Sequence, residues 1–381
     1  MNVSKKIILA LLMAGLSCNL FAQIVIDKDE VSQGLKEFAE TLLFTVPEAA
    51  TQQNVWSDAY IGNIYPNINK HFGFGLTLGG TAIDMSGFKK AADTMIGDYN
   101  STADLLSSIP NLDIPNLDFG KIPEKFIIPT ASVDIRIGGF VLPFDFGLCA
   151  MMTNPSIFKV KLDDPKSVYD MNQAINFNFL GFNGSIDYLT IGGDIRYRFY
   201  EGSLVMPMIS LGIGYTYTKG NFKVGTTSEE TLKVGGSSYG VQTTTADMAM
   251  GFETQVFYLQ AQVSKSFGIV TPFIGARGLL SNTKTTYAWN YKTENETLGI
   301  SVADGDSGYV TADKATESYD EIKNGLWNLK GIQPQVYLGL SFNAGIFQFT
   351  LSGCADLRSF FDKVNYDEFI YSGALSTHIK F

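Results

Sequence analysis

The sequence has few of the residues that build disulfide frameworks, metal sites and hydrolytic centres. Among its 381 residues are three cysteines and two histidines. Cys149 and Cys354, the two cysteines beyond the N-terminal leader, are too few for a disulfide framework, and we expect them to be unpaired inward-facing side chains rather than a bridge across an interior. No His/Cys cluster has metal-ligand spacing. We therefore predict no metal, no cofactor and no enzymatic activity.

Long apolar runs are also absent. After the N-terminus no stretch reaches the roughly 18 apolar residues that a spanning helix needs, which excludes helical membrane spans. The chain is acidic, with 38 Asp and Glu against 28 Lys and Arg. This balance argues against nucleic acid as a partner.

Residues 1–22 have the layout of a secretory signal peptide. Lys5 and Lys6 precede a short apolar run, and Ala22 is the small residue at the predicted cut site. A lipoprotein cleaved before Cys18 is the alternative, but Gly15 stands where such a site favours a branched apolar residue.

The C-terminal stretch Asp367–Phe381 alternates between apolar and small or polar residues. Its apolar positions are Phe369, Tyr371, Leu375, Ile379 and Phe381. A period of two is typical of a strand with one face in an apolar medium and the other in a polar one.

Similar strands pair into hairpins along the chain. We predict Asp58–Ile64 with His71–Ala82, Ala131–Val141 with Phe144–Met152, Leu189–Tyr200 with Leu204–Thr218, Met250–Ser264 with Ile269–Leu280, and Gln335–Asn343 with Phe347–Asp356. Turns within these pairs are short, whereas long polar connections join one pair to the next, including 219–249 and 281–333. In a soluble β-sandwich, short and long connections are not expected to alternate in this way.

The pattern predicts an all-β protein, a transmembrane antiparallel β-barrel of about 12–14 strands with short helical insertions. Five hairpins and the last strand make eleven strands. Because an even number is expected, we place a further strand near Glu40–Val46 or in one of the long connections. The barrel would comprise residues 55–381.

Together, the signal peptide, the hairpin rhythm and the terminal Phe381 resemble those of outer-membrane β-barrels of diderm bacteria, with porin-like or fatty-acid-channel-like architecture. The resemblance implies a location in the outer membrane and outer-membrane lipids as partners. It also implies that Phe381 belongs to an assembly signal read by the barrel-assembly machinery.

Charged residues within otherwise apolar strands mark the predicted lumen. They are Asp134, Arg136, Asp145, Asp194, Arg196, Arg198 and Arg277. An Arg or Lys facing lipid near the midplane costs about 2–4 kcal/mol, so these residues should point inward. If they are paired across strands, they would close a solid barrel. If they are unpaired, they would determine the electrostatic field in a water-filled pore.

Two segments have helical patterns. In residues 23–54 an apolar stripe predicts a helix over Lys28–Phe44, closed by Pro47, which is either a periplasmic cap or a plug in the lumen. The insertion 85–130 combines a helix over Met85–Leu106 with a proline-rich extended arm, and it is either a gate over the pore or packing on the rim. The acidic loop 303–324 is interpreted as a solvated surface loop rather than a calcium site, because it lacks a full ligand set.

We therefore expect a passive channel for small solutes or hydrophobic compounds. The alternative is a surface-exposed adhesin or structural barrel with a closed lumen. His71 and His378 are both predicted at the periplasmic end, whereas hydrolytic sites of barrel enzymes face outward.

Overall fold

The computed structural model describes residues 26–52, 55–62, 71–107, 122–139, 142–171, 175–179, 182–203, 205–234, 237–295, 300–311, 332–361 and 369–381. The signal peptide and most of the proline-rich arm lie outside these residues. The predicted division of the chain at residues 22 and 54 therefore stays a prediction.

Twelve strands form a single antiparallel sheet. They are β1 (Phe72–Asp84), β2 (Lys125–Gly138), β3 (Phe144–Met152), β4 (Asn176–Phe179), β5 (Phe182–Tyr200), β6 (Met208–Val234), β7 (Ser237–Ser264), β8 (Val270–Asn295), β9 (Ile300–Thr311), β10 (Gln333–Ala344), β11 (Phe347–Asp356) and β12 (Tyr371–Lys380). The helices are α1 (Lys28–Gln52), α2 (Ser86–Ser107), a 3₁₀ helix (Pro155–Lys159), α3 (Pro165–Tyr169) and α4 (Arg358–Phe361).

The sheet closes on itself. β1 pairs with both β2 and β12, and β8 pairs with both β7 and β10. In the described part of the chain β4 pairs only with β5 and β9 only with β8, so ten of the twelve strands form the ring. Backbone hydrogen bonds of 3.1 and 2.8 Å between Phe72 and Phe381 join the chain end to the first strand.

The ring has an apolar outer belt. On β1, Phe72, Phe74, Leu76 and Leu78 are exposed, whereas the glycines and threonine between them are buried. The same alternation continues on the other ring strands, where the exposed residues include Ile135, Phe146, Ile195, Ile213, Phe257, Leu259, Ile274, Leu338, Leu351 and Leu375. So large an exposed apolar surface is stable only in contact with hydrocarbon. Ring and belt together define a transmembrane β-barrel of the outer-membrane type.

Three neighbouring strands are far longer than a membrane crossing. β6, β7 and β8 contain 27, 28 and 26 residues, whereas a tilted transmembrane strand needs about 9–11. Tight turns join β2–β3, β5–β6, β7–β8 and β10–β11 at one end, here called the short-turn end. The long strands extend beyond the belt at the opposite, long-loop end. In this class of barrel these ends are periplasmic and extracellular.

The long strands correct two predictions. Residues 219–234 and 237–249 belong to β6 and β7, and residues 281–295 and 300–311 to β8 and β9, although we predicted loops there. The wall above the belt contacts water instead of lipid, so its outer face carries Thr, Lys and Glu and loses the apolar alternation that marks a membrane strand. Tyr287–Tyr291, within the predicted connection 281–333, lies in β8.

Other predicted elements are also revised. Residues 58–62 form no strand, so the first predicted hairpin does not exist. Glu40–Val46 is helical, and the extra strands β4 and β9 come from the long connections. β2 begins at Lys125 and includes Pro129, before the predicted end of the insertion at residue 130. None of the described helices is long and apolar enough to cross a bilayer.

Helix α1 continues through Pro47 to Gln52, beyond its predicted end. Proline removes a backbone donor and usually ends a helix. Here the hydroxyl of Thr51 donates to the carbonyl oxygen of Pro47 at 3.1 Å. Every residue from Thr45 to Gln52 is buried, so packing on all sides supports this last part of the helix.

Candidate functional site: the filled lumen

Helix α1 lies inside the ring. The hydroxyl of Thr285 on β8 donates to the carbonyl of Ala39, and the side-chain amide of Gln335 on β10 donates to the hydroxyl of Thr51. Ser372 on β12 lies 3.4 Å from Glu48. One helix can reach β8, β10 and β12 only from within the barrel. Helix α1 therefore occupies the lumen, and it is called the plug helix below.

The lowest layer of the lumen, near the short-turn end, is a buried salt-bridge network. Arg136 binds Asp145 at 2.6 Å and Asp194 at 2.5 Å, and Arg196 binds Asp145 at 2.8 Å. These four side chains are almost completely excluded from solvent. Gly147 lies between Arg136 and Asp194 in the register, and a Cβ atom there would collide with both groups. Cross-strand pairing therefore closes this layer.

The irregular segment 55–62 is held by the same network. The guanidinium of Arg196 donates to the carbonyl of Asp58 at 2.8 Å, and the amide of Ile61 donates to Asp145 at 3.1 Å. Trp56 stacks on His378 with ring centroids 4.0 Å apart. The chain thus leaves the plug helix, crosses the salt-bridge layer and reaches β1 at the short-turn end.

A middle layer surrounds the last turns of α1. Arg277 donates to the carbonyl of Thr51 at 2.7 Å and lies over the rings of Tyr258 and Tyr337, 5.1 and 4.5 Å from their centroids. Several buried polar atoms here have no hydrogen-bond partner in the described structure. They are Glu48 Oε2, Gln52 Nε2 and Oε1, Gln333 Oε1, Gln335 Oε1 and Ser352 Oγ. The plug and the wall therefore meet in a polar interface.

The upper layer, here called the upper core, is apolar. It joins the N-terminal half of α1 and the helix α2 to the inner faces of β2 and β5–β8. Its larger members are Phe38, Met85, Phe88, Met95, Tyr99, Phe126, Ile186, Phe222, Met248, Met250, Phe252, Tyr287, Trp289 and Tyr291. Phe88 meets Phe38 and Phe222 edge-on at 5.4 and 5.8 Å. The predicted helix over Met85–Leu106 thus packs inside the wall and not on the rim.

A charged cleft opens above the upper core. Its volume is about 680 Å³, and it lies between the start of α1, the first turns of α2 and the ends of β1 and β2. Glu30, Lys89, Asp93 and Glu124 are among the residues that line it. The upper core is therefore covered by a polar mouth at the long-loop end.

No protein-family model and no curated protein matches the chain. Three solved structures that align with it are at most 10% identical in sequence. A FadL homologue of Pseudomonas aeruginosa aligns over 92% of this chain and 98% of its own, with 10% identity and a TM-score of 0.26. The translocator domain of the autotransporter NalP from Neisseria meningitidis aligns over 93% and 99%, with 8% identity and a TM-score of 0.28. The CymD monoaromatic hydrocarbon channel aligns over 82% and 89%, with 8% identity and a TM-score of 0.24.

The chain is an outer-membrane β-barrel. At TM-scores this low the alignments supply no argument about ligand or mechanism. The assignment therefore rests on the closed ring and the lipid-facing belt of the barrel itself.

The structure places the predicted lumen residues at three kinds of position. Arg136, Asp145, Asp194 and Arg196 form the salt-bridge layer, and Arg277 holds the plug. Asp134 is buried 3.7 Å from His378, and both lie over Gly75, where a Cβ would collide with either side chain. Arg198 is half-buried at the short-turn end, where it binds Glu201 at 3.0 Å and covers the ring of Tyr60.

The remaining residues singled out in the sequence are also located. Phe381 lies beside Phe72 at the seam of β1 and β12, with ring centroids 6.3 Å apart, and its role in assembly stays a prediction. Cys149 and Cys354 are buried and unpaired, as expected. Asp306 belongs to strand β9 and accepts a hydrogen bond from Ser32 of α1, so residues 303–311 are part of the wall and not a loop, whereas 312–324 lie outside the described residues.

Sequence reasoning missed Trp56, Glu48 and Gln52. Trp56 lies just before the predicted strand Asp58–Ile64, and Glu48 and Gln52 follow the proline taken as the end of the helix. Over residues 45–52 the apolar and polar side chains do not fall on separate faces of the helix, because this part is buried on all sides. A helix buried all round has no polar face to reveal its orientation.

Proposed function

We propose that this barrel is a gated channel for small hydrophobic compounds, which it binds in the upper core. The observation that carries the proposal is the layered lumen. A channel for hydrophilic solutes has a polar interior throughout. Here the lumen is polar only in its lower two layers, and an aromatic and methionine-rich core occupies the part nearest the long-loop end.

The composition of the upper core suits a hydrophobic guest. Met85, Met95, Met248 and Met250 are fully buried there, among Phe, Tyr and Trp side chains. Methionine side chains are flexible and polarizable, so they repack around ligands of different shape. Aromatic rings add favourable stacked and edge contacts. A compound would enter by replacing side-chain contacts of α2 with its own.

The plug helix supplies the gate. Its N-terminal half belongs to the upper core, whereas its C-terminal half meets the wall across the polar interface of the middle layer. The two halves of the helix thus depend on different kinds of contact, and ligand binding in the upper core acts directly on the N-terminal half.

Energy transfer from tryptophan to a naphthylamine probe tests the proposal. Trp289 is a member of the upper core, Trp56 lies in the salt-bridge layer, and Trp327 is replaced by Phe in every variant. We expect saturable binding of N-phenyl-1-naphthylamine to the purified barrel, with strong transfer that Trp289→Phe removes and Trp56→Phe preserves. Absence of saturable binding, or transfer that only Trp56→Phe removes, would contradict the proposal.

The closed salt-bridge layer favours a second candidate, a surface-exposed adhesin or structural barrel. Its working part would be the wall of β6–β9 that extends beyond the belt. Planar-bilayer recordings and probe binding distinguish the two. A barrel that gives neither ion currents nor saturable probe binding, but binds host or matrix surfaces, would support the second candidate.

A further inference from the structure

Four hydroxyl groups form a hydrogen-bonded cluster within the otherwise apolar upper core. The hydroxyl of Tyr99 on α2 lies 3.5 Å from that of Thr244 on β7. Thr244 lies 3.1 Å from the hydroxyl of Thr293 on β8, which in turn lies 2.5 Å from that of Tyr291. Each of these side chains is at most 1% exposed. They are called the hydroxyl quartet below.

Helix α2 and the wall build the quartet together. Thr244 and Thr293 are directly opposite each other in the ladder between β7 and β8. The ring of Tyr99 packs against that of Tyr291, with centroids 5.7 Å apart. Both tyrosines belong to the upper core, as does Met95, one turn before Tyr99 on α2. The quartet is therefore a polar group inside an apolar layer.

The contact between Tyr99 and Thr244 joins α2 to the wall, whereas the other two contacts lie within β7 and β8. A compound that enters the upper core by replacing contacts of α2 separates these two hydroxyls. Thr244 then loses one of its hydrogen-bond partners at a buried position, which is unfavourable. A compound with a hydroxyl or carbonyl oxygen restores the bond, whereas a hydrocarbon leaves it unmade.

A further polar side chain lies beside the quartet. Gln242 is two residues from Thr244 on the same inner face of β7, and it is 2% exposed. Its Nε2 atom has no hydrogen-bond partner among the described residues. Because an amide N–H donates to oxygen, Gln242 adds a donor for an oxygen atom of an entering compound.

The quartet has no buried cation beside it in the part of the chain that the structure describes. The buried arginines Arg136, Arg196 and Arg277 all belong to the lower two layers of the lumen. Both lysines of the charged cleft form ion pairs with carboxylates. Burying a carboxylate without a cationic partner is strongly unfavourable. The oxygen of the compound must therefore be uncharged.

We propose that the hydroxyl quartet selects neutral hydrophobic compounds that carry a hydroxyl or carbonyl group, in preference to hydrocarbons and carboxylates. The proposal rests on the proposed function, because it names the class of compound that the upper core takes. Thr244 binds the oxygen of the compound in place of Tyr99. The methionine and aromatic side chains bind its apolar body, so the quartet determines selectivity within a set of equally hydrophobic compounds.

Naphthalene, 1-naphthol and 1-naphthoate test the proposal, because they share one ring system. Equilibrium dialysis of the purified barrel at neutral pH measures their dissociation constants. In Thr244→Val the preference for 1-naphthol over naphthalene should fall about threefold to tenfold, the factor for roughly 1 kcal/mol of net hydrogen bonding. Comparing this ratio between wild type and variant cancels partitioning into detergent. The ionised 1-naphthoate should bind wild type about tenfold or more weakly than 1-naphthol does, because its charge would be buried without a cation.

Tyr99→Phe should shift the preference in the opposite direction. This variant keeps the ring on α2 and removes the hydroxyl that competes for Thr244, so the preference for 1-naphthol should rise. A merely structural effect would weaken the binding of both compounds alike. Thr254→Val is the matched control, since Thr254 is a buried threonine on the same strand with a hydroxyl partner of its own, Thr283 at 2.7 Å. Its preference should equal that of wild type.

Three results would overturn the selectivity: an unchanged preference in Thr244→Val, an equal change in Thr254→Val, or 1-naphthoate that binds as tightly as 1-naphthol. Saturable binding of N-phenyl-1-naphthylamine in the same preparation would leave the proposed function intact. A wild-type barrel that does not bind this probe would overturn both proposals, and the two failures are thus distinguishable.

Discussion

Arg277 of the wall donates a hydrogen bond to the carbonyl oxygen of Thr51 in the plug helix at 2.7 Å. The carbonyl groups of the last helical turn lack partners within the helix and carry partial negative charge. A buried guanidinium satisfies one of them, while two tyrosine rings hold the guanidinium in place. This contact joins the plug to the middle layer of the barrel.

Arg277→Ala should loosen the last turns of the plug. Hydrogen bonds that involve a charged group contribute about 1.5–3 kcal/mol, so we expect exchange of the amides in residues 45–52 to accelerate about tenfold to hundredfold. Lys292→Ala on the same strand is the control, because Lys292 forms an exposed ion pair with Glu294. Mass-spectrometric hydrogen exchange measures both, and equal exchange in the two variants would show that Arg277 does not hold the plug.

Glu48 should make plug docking dependent on pH. It lies on α1, outside the membrane-spanning strands, and burial raises its pKa from 4.5 to about 8. Its carboxyl group is therefore protonated when docked and ionised when released between these two values. Docking should weaken as pH rises from about 4.5 to about 8, because the released state has lost the proton that the docked state retains.

Glu48→Gln removes this titration. The ratio of amide exchange in wild type to that in Glu48→Gln, measured for residues 45–52 at each pH, should rise from pH 5 to pH 8.5. Taking the ratio cancels the intrinsic pH dependence of exchange. A ratio that stays constant would mean that the carboxyl group does not influence docking.

Gly147→Ala should destabilise the salt-bridge layer. A methyl group at this position would collide with Arg136 and Asp194, and disrupting a buried pair costs about 3–5 kcal/mol. Gly353→Ala is the control, since its added Cβ would approach no atom closer than the carbonyl oxygen of Ser372 at 3.7 Å. The temperature at which the barrel loses its folded mobility on SDS gels should fall for Gly147→Ala and stay near wild type for Gly353→Ala.

Two arginine substitutions on β7 should locate the upper limit of the membrane. Phe257 and Val241 are 58% and 51% exposed on the outer face of this strand. Phe257→Arg places a charge in hydrocarbon and should cost about 2–4 kcal/mol, whereas Val241→Arg places it in water and should cost little. Urea unfolding in liposomes compares them, and an equal loss of stability would contradict a strand that extends beyond the bilayer.

The sequence predicted membrane strands correctly where successive residues face lipid and lumen in turn, because apolar and polar side chains must then alternate. On β1, β3, β11 and β12 this alternation located the strands to within a few residues. Above the belt the outer faces of β6–β8 carry polar side chains while the inner faces contain the apolar residues of the upper core, so the outward apolar series that marks a membrane strand is lost and the same test reported loops. Residues 58–62 were misread for the opposite reason, because a buried irregular segment can show the composition of a strand.

By itself the sequence determined that the chain is an antiparallel barrel and that its charged strand residues avoid lipid, because hydrocarbon penalises a charge or an unpaired backbone group at any position. Only the tertiary structure decided that Arg136 and Arg196 share two aspartates, that α1 fills the lumen, and that Tyr188 of β5 contacts β2. The contact of Tyr188 is with the backbone of Ala131 on β2. All these features depend on which residues the closure of the ring brings opposite one another. Closure joins positions distant in the chain, and no local pattern of side chains encodes that juxtaposition.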